Sequence, residues 1–398
     1  MDAYVLEYLN FAIRWLHMIA GIAWIGASLY FVWLDSSLLP PKDKASADLG
    51  IGGEVWALHG GGFYRAQKFK VAPPDMPDPL HWFKWEAYTT WLSGFALLVL
   101  IYYVQADVYL IDKSRMDLTP VAAIAAGVGL MAMTWIVYDL MCRSSLGENE
   151  PLLAGIMFIL LGFLAYGLTQ MYSGRGAFIH FGAVIGTIMV ANVFFIIMPG
   201  QRAMVDAKLR NEAPDPVHGQ RGKQRSVHNT YFTLPVVFVM VSNHYAGFTN
   251  HKHAWAILMT IALAGALIRL YSVLSHQGNR KHMLWVGGYG ILVAVFIALF
   301  PRQVAPVAGA PGVKFAEVKK VIDAKCTVCH SAKPTFAGFA SPPKNVLLET
   351  GDQIKAQAQL IHLQTVTTKV MPPGNLTQVT DDERALIAAW FNQGAKVE

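Results

Sequence analysis

Residues 177–198 of this chain read AFIHFGAVIGTIMVANVFFIIM, and His180 is the one ionisable side chain in the run. An α-helix rises 1.5 Å per residue, so a run of this length reaches about 33 Å and can cross a hydrocarbon core of about 30 Å. Comparable runs lie at roughly 9–33, 88–106, 119–141, 151–172, 229–247, 253–274 and 282–300. The sequence therefore predicts an all-α fold, a polytopic transmembrane helix bundle of about eight spans.

The composition of the whole chain agrees with a membrane protein. Hydrophobic residues make up 54% of the 398 residues, charged residues make up 15%, and the mean hydropathy is +0.37. A soluble domain carries about 25% charged residues, so this chain lacks the polar surface of a soluble globule. The same apolar content excludes a disordered chain, and three cysteines exclude a disulfide scaffold. We expect the lipid bilayer as a partner and no nucleic acid, despite the net charge of +6.

The chain divides into two parts of different composition. Residues 1–300 hold all the predicted spans, and 301–313 (PRQVAPVAGAPGV) are rich in Pro, Ala and Gly, as an extended linker is. From 314 to 398 the charge density rises and no apolar run of membrane length remains, which predicts a small soluble domain. Within the first part, 34–87 and 199–228 are expected to be long loops.

The tail contains a cofactor-attachment motif. Cys326, Cys329 and His330 form C-x-x-C-H, the attachment signature of c-type haem. In that motif the two thiols add across the porphyrin vinyl groups and the imidazole ligates the iron. A zinc half-site is the alternative, but it needs a second cysteine pair and the chain has only Cys142 left. The motif predicts one covalent haem c.

Further features of the tail fit a haem domain. Met371, the tail's one methionine, lies in the sequence VMPP and is predicted to be the second axial ligand, as in cytochromes c with Met/His ligation. Helical periodicity precedes the motif at 315–322, and 381–393 carries acids in its first turn and an apolar stripe. The tail at 314–398 resembles an all-α class I cytochrome c.

Two independent arguments predict the orientation in the membrane. Covalent haem attachment takes place outside the bacterial cytoplasmic membrane, so the tail is expected in the periplasm, and eight spans then place the N-terminus there too. The predicted inner loops hold fifteen Lys and Arg residues, whereas the outer segments before the tail hold five. This asymmetry is what the positive-inside rule requires. We therefore predict a multi-pass protein of the bacterial inner membrane with both the N-terminus and the tail in the periplasm.

Three short stretches of the predicted membrane domain carry a family resemblance. They are 15–28 (WLHMIAGIAWIGAS), 59–64 (HGGGFY) and 198–202 (MPGQR). Together with the tail they resemble the bacterial membrane-bound urate oxidase family, in which an eight-span N-terminal domain is fused to a cytochrome c. The resemblance implies oxidation of urate to 5-hydroxyisourate, with electrons passing to haem c and on to the respiratory chain. The expected acceptor is a soluble cytochrome or a terminal oxidase.

Two histidines inside predicted spans are candidate catalytic residues. An ionisable side chain within a span indicates a functional site by default, and His17 and His180 both fall in the outer half of the bundle. Neutral imidazoles on facing helices are what a second haem, of b type, or another metal would need. Histidines near the interface can equally form ordinary hydrogen bonds to neighbours or water. Both interpretations stay open.

A second candidate site lies on the predicted inner face. His59 and Arg65 flank a glycine run followed by two aromatic residues. Successive backbone N–H groups can cradle an anion, and an arginine can pair with a delocalised oxyanion such as that of urate. A flexible glycine turn explains the same stretch, because a glycine run alone is a weak signal.

The haem motif also fits a different function. A membrane-anchored cytochrome c that relays electrons from quinol or a partner dehydrogenase needs the same C-x-x-C-H segment and no urate chemistry. A transporter or sensor whose cytochrome reports the redox state is a third hypothesis. Urate oxidation is favoured because the resemblance covers the whole chain in architecture and order, while the residues alone indicate a membrane-anchored electron carrier.

Overall fold

The structure is a computed structural model that describes residues 3–299, 312–336, 339 and 341–397. Most of the linker predicted at 301–313 lies outside the described residues. The first part consists of helices and one hairpin: α1 Ala3–Ser36, α2 Lys44–Asp48, β1 Ile51–His59, β2 Gly62–Phe69, α3 Trp85–Leu98, α4 Ala106–Tyr109, α5 Pro120–Arg143, α6 Glu150–Met171, α7 Gly174–Ala191, α8 Met198–Leu209, α9 Pro216–Ser242, α10 Ala246–Thr249, α11 Ala254–His276 and α12 His282–Leu299. The tail contains α13 Phe315–Lys325, α14 Gly351–Ala356, α15 Ala358–Ile361 and α16 Asp381–Asn392.

Six of the described helical segments are long and apolar enough to cross a membrane. They are Val5–Ser36, Pro120–Arg143, Glu150–Met171, Gly174–Leu209, Ala254–His276 and His282–Leu299. The spans predicted at 88–106 and 229–247 also fall largely on helices, namely α3 with the π-helical turn Val99–Tyr103 and the second half of α9. Of these two, α3 has only 14 residues and α9 carries many polar residues in its first half, so the count of eight spans stays a prediction.

The segment expected to be a loop at 199–228 is mostly helical, so that expectation is wrong. The helix of the fifth span continues through a π-helical turn at Asn192–Ile197 into α8. Pro199, which has no N–H to donate, lies just after this π-helical turn. Asp215 then starts α9 by accepting a hydrogen bond from the backbone N–H of Val217 (2.9 Å).

The second expected loop, 34–87, contains a β-hairpin, so the fold is not all-α. The strands β1 and β2 pair antiparallel, with His59 opposite Gly62. Between them Gly60 and Gly61 have φ values of +57° and +81°. A two-residue turn with both φ values positive matches the twist of paired strands, and glycine adopts it without strain. The glycine run is therefore a hairpin turn.

The core of the bundle is built around α7. Phe178, Phe181, Ile185 and Ile188 on this helix are essentially inaccessible to solvent and pack among α3, α5, α6 and α9. Gly182 allows α9 to approach closely, because a Cβ there would lie 2.7 Å from the side chain of Val239. Small residues at such contacts let transmembrane helices gain van der Waals packing. The bundle therefore holds α7 rigidly at its centre.

The tail has a hydrophobic core of its own. Val318 and Ile322 from α13 pack with Ile387 and Trp390 from α16, and all four are at most 1% exposed. The Trp390 Nε1–H donates to the carbonyl oxygen of Lys396 (2.7 Å), which satisfies its one polar group. The first and last helices of the tail thus pack against each other and frame the segment between them.

Candidate functional site

The C-x-x-C-H segment forms a compact turn at the end of α13. The backbone N–H groups of Cys329 and His330 donate to the carbonyl oxygen of Cys326 at 3.1 and 2.9 Å. His330 Nδ1 lies 3.0 Å from the carbonyl oxygen of Val346. A carbonyl can only accept, so Nδ1 carries the proton and Nε2 keeps its lone pair for a metal. This tautomer is the one that an axial haem ligand requires.

Both thiols of the segment are held neutral by their surroundings. Burial raises the pKa of Cys326 to about 12 and also raises the pKa of Cys329. Neither cysteine is in a disulfide. Two neutral thiols three residues apart, with an adjoining imidazole, are the groups needed for thioether attachment of a porphyrin. The residues present therefore fit haem c.

A buried arginine fixes the loop that contains Met371. Arg384 on α16 is 7% exposed, and its guanidinium donates to the carbonyl oxygen of Met371 (3.1 Å) and to Asn375 Oδ1 (3.1 Å). It also donates to the carbonyl oxygen of Thr365. A guanidinium has several donors in fixed geometry, so one side chain holds three points of the loop. Arg384 was not among the residues selected from the sequence.

His17 lies at the contact between α1 and α3. Its Nδ1 is 2.9 Å from the carbonyl oxygen of Thr90 and 3.1 Å from Ser93 Oγ. Gly94 makes room for the ring, because a Cβ there would lie 2.8 Å from His17 Cε1. The carbonyl fixes the proton on Nδ1 and leaves Nε2 with its lone pair, as in His330. His17 therefore has the tautomer of a haem or metal ligand.

His180 is arranged differently from His17. It is 1% exposed, its Nδ1 lies 2.8 Å from the carbonyl oxygen of Gly176, and its Nε2 lies 3.2 Å from Tyr103 Oη. The tyrosine O–H therefore donates to the nitrogen that a metal would use. Gly94, beside His17, and Tyr103, beside His180, are nine residues apart on one continuous helix, or about 13 Å. The two histidines are not brought together.

Arg65 is paired with acids on and beside the hairpin. Its Nε donates to Glu54 Oε2 (2.9 Å) and its Nη2 donates to Asp43 Oδ2 (3.0 Å). The hydrogen bond from Arg65 lowers the pKa of the Glu54 carboxyl. His59 lies at the end of β1 beside the glycine turn, where Gly60 and Gly61 are open. Arg65 thus already has two anionic partners, whereas the contacts of the described residues indicate no role for His59.

A second buried polar cluster lies where α5, α6 and α9 meet. His228 Nδ1 is 2.7 Å from Tyr138 Oη, and His228 Nε2 is 2.7 Å from Glu150 Oε2. Asn192 Nδ2–H donates to the same tyrosine oxygen (3.1 Å). Because the Glu150 carboxylate can only accept, His228 Nε2–H donates to it, and Nδ1 of the neutral imidazole accepts from the Tyr138 O–H. The linked residues come from separate segments of the chain, so the sequence did not predict this connected chain of hydrogen bonds.

An ion pair supports the same cluster. Arg225 is 3% exposed and donates to Asp139 Oδ1 (2.7 Å), while Arg143 donates to Asp139 Oδ2 (2.6 Å). The Arg225 guanidinium also lies over the Tyr138 ring, 4.9 Å from its centre. A buried cation with a fully bonded carboxylate partner is stable in the interior. The sequence did not indicate a role for Asp139 and Arg225, because a single charged residue near the end of a span is usually explained by its position at the membrane interface.

The cluster opens into a cleft of about 630 Å³. Its wall includes Glu150, Gln224, Arg225, Arg221, His218 and Phe195. The volume lies in the range of about 300–1,000 Å³ that is usual for small-molecule sites. The described residues contain no group of three or more His, Cys, Asp or Glu that could hold a metal ion. The volume of the cleft and its polar and charged wall suit a small polar ligand.

A model of the urate oxidase N-terminal family matches residues 3–300. The chain belongs to the urate oxidase N-terminal family. Membership indicates a urate-related oxidoreductase. Comparisons with curated proteins and with solved structures find no match.

In this member of the urate oxidase N-terminal family, the cleft and the C-x-x-C-H segment lie at opposite ends of the bundle. Glu150 starts α6 at the cleft, and Tyr172, just after α6, pairs with Ile111. The 22 residues of α6 separate these ends by about 33 Å. The tail contacts the Ile111 end, because a Cβ on Gly374 would lie 2.6 Å from the Ile111 carbonyl oxygen. The tail is thus on the side of 107–118, which joins the spans predicted at 88–106 and 119–141 and which the predicted orientation places outside.

Proposed function

We propose that this chain is a membrane-bound oxidoreductase that oxidises urate to 5-hydroxyisourate and passes the electrons to a haem c in its own tail. The balanced half-reaction is urate plus water giving 5-hydroxyisourate, two protons and two electrons. The family match over 3–300 is the observation that carries the substrate. Because a haem c iron takes one electron at a time, each urate would reduce the haem twice.

The tail's residues would hold the haem as follows. Cys326 and Cys329 would form the thioether links, and His330 and Met371 would be the axial ligands. The haem would supply a one-electron acceptor, and ligation of its iron by the thioether sulfur of Met371 would raise its reduction potential. The proton on His330 Nδ1 and the anchoring of the Met371 loop by Arg384 support this assignment. Arg384 is then a positioning residue for the Met371 side of the site.

A cytoplasmic urate site and a periplasmic haem c would need a redox centre between them. The proposal places that centre at His17, because its Nε2 is available while Nδ1 is fixed by Thr90. A second haem, of b type, or another metal would supply a one-electron carrier there. His180 is retained as a candidate that would have to release Tyr103 to serve as a ligand.

The proposed orientation follows from the tail's position. The tail contacts the same end of the bundle as Ile111, and the cleft with its arginines lies at the other end. The arginine-rich end would face the cytoplasm by the positive-inside rule, and the tail would face the periplasm. The protein would then lie in the bacterial inner membrane and deliver electrons to a soluble cytochrome or a terminal oxidase.

The experiment that tests the proposal is urate turnover by the purified, haem-loaded protein with ferricyanide as acceptor and oxygen excluded. We expect 5-hydroxyisourate to form without oxygen and hydrogen peroxide to be absent when air is admitted. A Cys326→Ala/Cys329→Ala variant, which cannot attach haem, should show no turnover. If urate is not consumed while a quinol reduces the haem, the protein is a cytochrome relay and the urate function is wrong.

A further inference from the structure

We propose that the cleft beside α9 is the binding site for the purine, with Arg221 as its anion contact and Glu150 as the group that accepts a substrate proton. The ligand class is a planar, anionic, oxygen-rich purine. This inference rests on the proposed function and specifies where in the bundle the substrate is held. Neither the family match nor the sequence motifs assign a role to these two residues.

Arg221 is the cation of the cleft that is available to a ligand. Arg143 and Arg225 both bind Asp139, whereas no ion pair to Arg221 occurs in the described part of the chain. A guanidinium can donate two parallel hydrogen bonds to the paired oxygen and nitrogen atoms along one edge of a purine anion. The ring of Phe195 also lines the cleft and offers an apolar face to a flat heterocycle.

Glu150 is placed to take up a proton. Its Oε1 accepts from Gln224 Nε2 (2.7 Å) and its Oε2 accepts from His228 Nε2 (2.7 Å). Behind His228 the hydrogen bonds continue to Tyr138 and Asn192. These hydrogen bonds fix the Glu150 carboxylate at the cleft wall, because each of its two oxygens accepts from a donor. About half of the Glu150 side chain, 52%, is exposed, and the residue lines the cleft.

The chemistry of urate oxidation requires such a group. Addition of water to urate, with loss of two electrons to the proposed redox centres, releases two protons. In the proposed step one proton moves to a Glu150 carboxylate oxygen as the O–H bond of water breaks and its oxygen bonds to the purine. The proposed redox centre would take up the two electrons, and the second proton would go to solvent through the open cleft. General-base help of this kind contributes about 10²–10⁴-fold to a rate.

The hairpin site is a weaker alternative for the same ligand. Arg65 is already bonded to Glu54 and Asp43, so a purine anion would have to displace two carboxylates. Arg221 has no such competitors in the described chain. The cleft also adjoins the polar cluster of α5, α6 and α9. At the hairpin turn, apart from chain neighbours, no atom of the described residues lies within 4 Å of the Cβ positions of Gly60 and Gly61.

The test compares single variants of the full-length, haem-loaded protein in two measurements. One is anaerobic urate turnover, and the other is equilibrium binding of xanthine, a planar purine lacking the 8-oxo group. Arg221→Gln should weaken xanthine binding and raise KM by about tenfold or more, with kcat little changed. Glu150→Gln should leave xanthine binding intact and lower kcat by at least about 10²-fold, and Glu150→Asp should retain part of the rate. Arg210→Gln and Glu212→Gln are controls, because these two exposed residues pair with each other beyond the cleft.

The outcomes separate this inference from the proposed function. If the wild-type protein oxidises urate and both cleft variants behave like the controls, the function stands and the cleft assignment is wrong. Should the wild-type protein fail to oxidise urate, the proposed function is wrong, and xanthine binding still decides whether the cleft holds purines. Thermal unfolding of each variant checks that the bundle is intact.

Discussion

Gly374 in the tail lies directly against the backbone of Ile111 in the bundle. A Cβ at position 374 would be 2.6 Å from the Ile111 carbonyl oxygen, and the glycine has φ of +55°. The loop that contains it follows Met371, the proposed axial ligand. The proposed haem site therefore meets the bundle through a contact that only a glycine permits.

Replacing Gly374 by Ala should uncouple the tail from the bundle. The added methyl group collides with backbone, which cannot rotate away, so the loop must shift. We expect reduction of haem c by urate to slow by at least about tenfold while the haem stays covalently attached, because displacements of about 1 Å already cost up to 10²-fold in reaction rates. Stopped-flow absorbance of the haem measures this.

The matched control is Gly394→Ala. Gly394 also lies in the tail with a positive φ, +92°, but nothing lies within 4 Å of its missing Cβ. It therefore shares the backbone strain of the test variant without the contact. Equal rates in the two variants would show that strain, not docking, explains the effect.

Arg384→Leu should loosen the loop that contains Met371. The carbonyl oxygens of Thr365 and Met371 lose their buried donor, and each group left unsatisfied costs about 1–3 kcal/mol. We expect a mixture of high-spin and low-spin haem c and a lower potential, measured by absorption and redox titration. Met371→His, by contrast, should stay low-spin with a lowered potential, because imidazole favours ferric iron. Lys320→Leu, at an exposed position on α13, is the control. An unchanged spectrum in the Arg384 variant would contradict the assignment.

The two thiols should react slowly in haem-free protein. With a pKa of about 12, Cys326 has a thiolate fraction at pH 8 that is on the order of a thousandfold below that of an ordinary cysteine of pKa about 8.5. Because only the thiolate is alkylated, iodoacetamide labelling should be slow at pH 8 and rise as the pH approaches 12. Peptide mapping of Cys326 checks this, and denatured protein provides the fast reference. Rapid labelling of folded, haem-free protein at pH 8 would contradict it.

His17→Ala should remove the proposed redox centre without affecting haem c. The variant is expected to keep the covalent haem and to lose any non-covalent haem or metal signal, measured by pyridine haemochrome analysis and metal analysis. His180→Ala should retain that signal, because Tyr103 already occupies its Nε2. The control is His276→Ala, at an exposed position at the end of α11. A full second-haem signal in the His17 variant would exclude His17 as a ligand of the proposed redox centre.

The length of the apolar runs predicted the helical architecture, because a helix that crosses the bilayer must be apolar over a length that the bilayer thickness fixes. Helices lie at all eight predicted segments. The hairpin was missed because β1 and β2 carry charged residues such as Glu54 and Arg65 that hide their alternation, although the Gly60-Gly61 pair is itself a turn signal.

The proposed haem ligands were visible in the sequence because their chemistry requires fixed spacing. The cleft was not, because its parts come from three helices far apart in the chain. His228 and Glu150 are 78 positions apart, and a lone histidine or acid near a span end predicts nothing about its partner. Arg384 was hidden for the same reason, since its role depends on the carbonyl oxygens of a distant loop.

The most direct test of the central claim is to mix urate with purified, fully oxidised protein under exclusion of oxygen and to record the haem c absorbance. We expect urate to reduce the haem, two haem c equivalents to be reduced per urate oxidised, and 5-hydroxyisourate to appear at the same rate. A haem that stays oxidised with urate, yet is reduced by quinol in the same preparation, would contradict it.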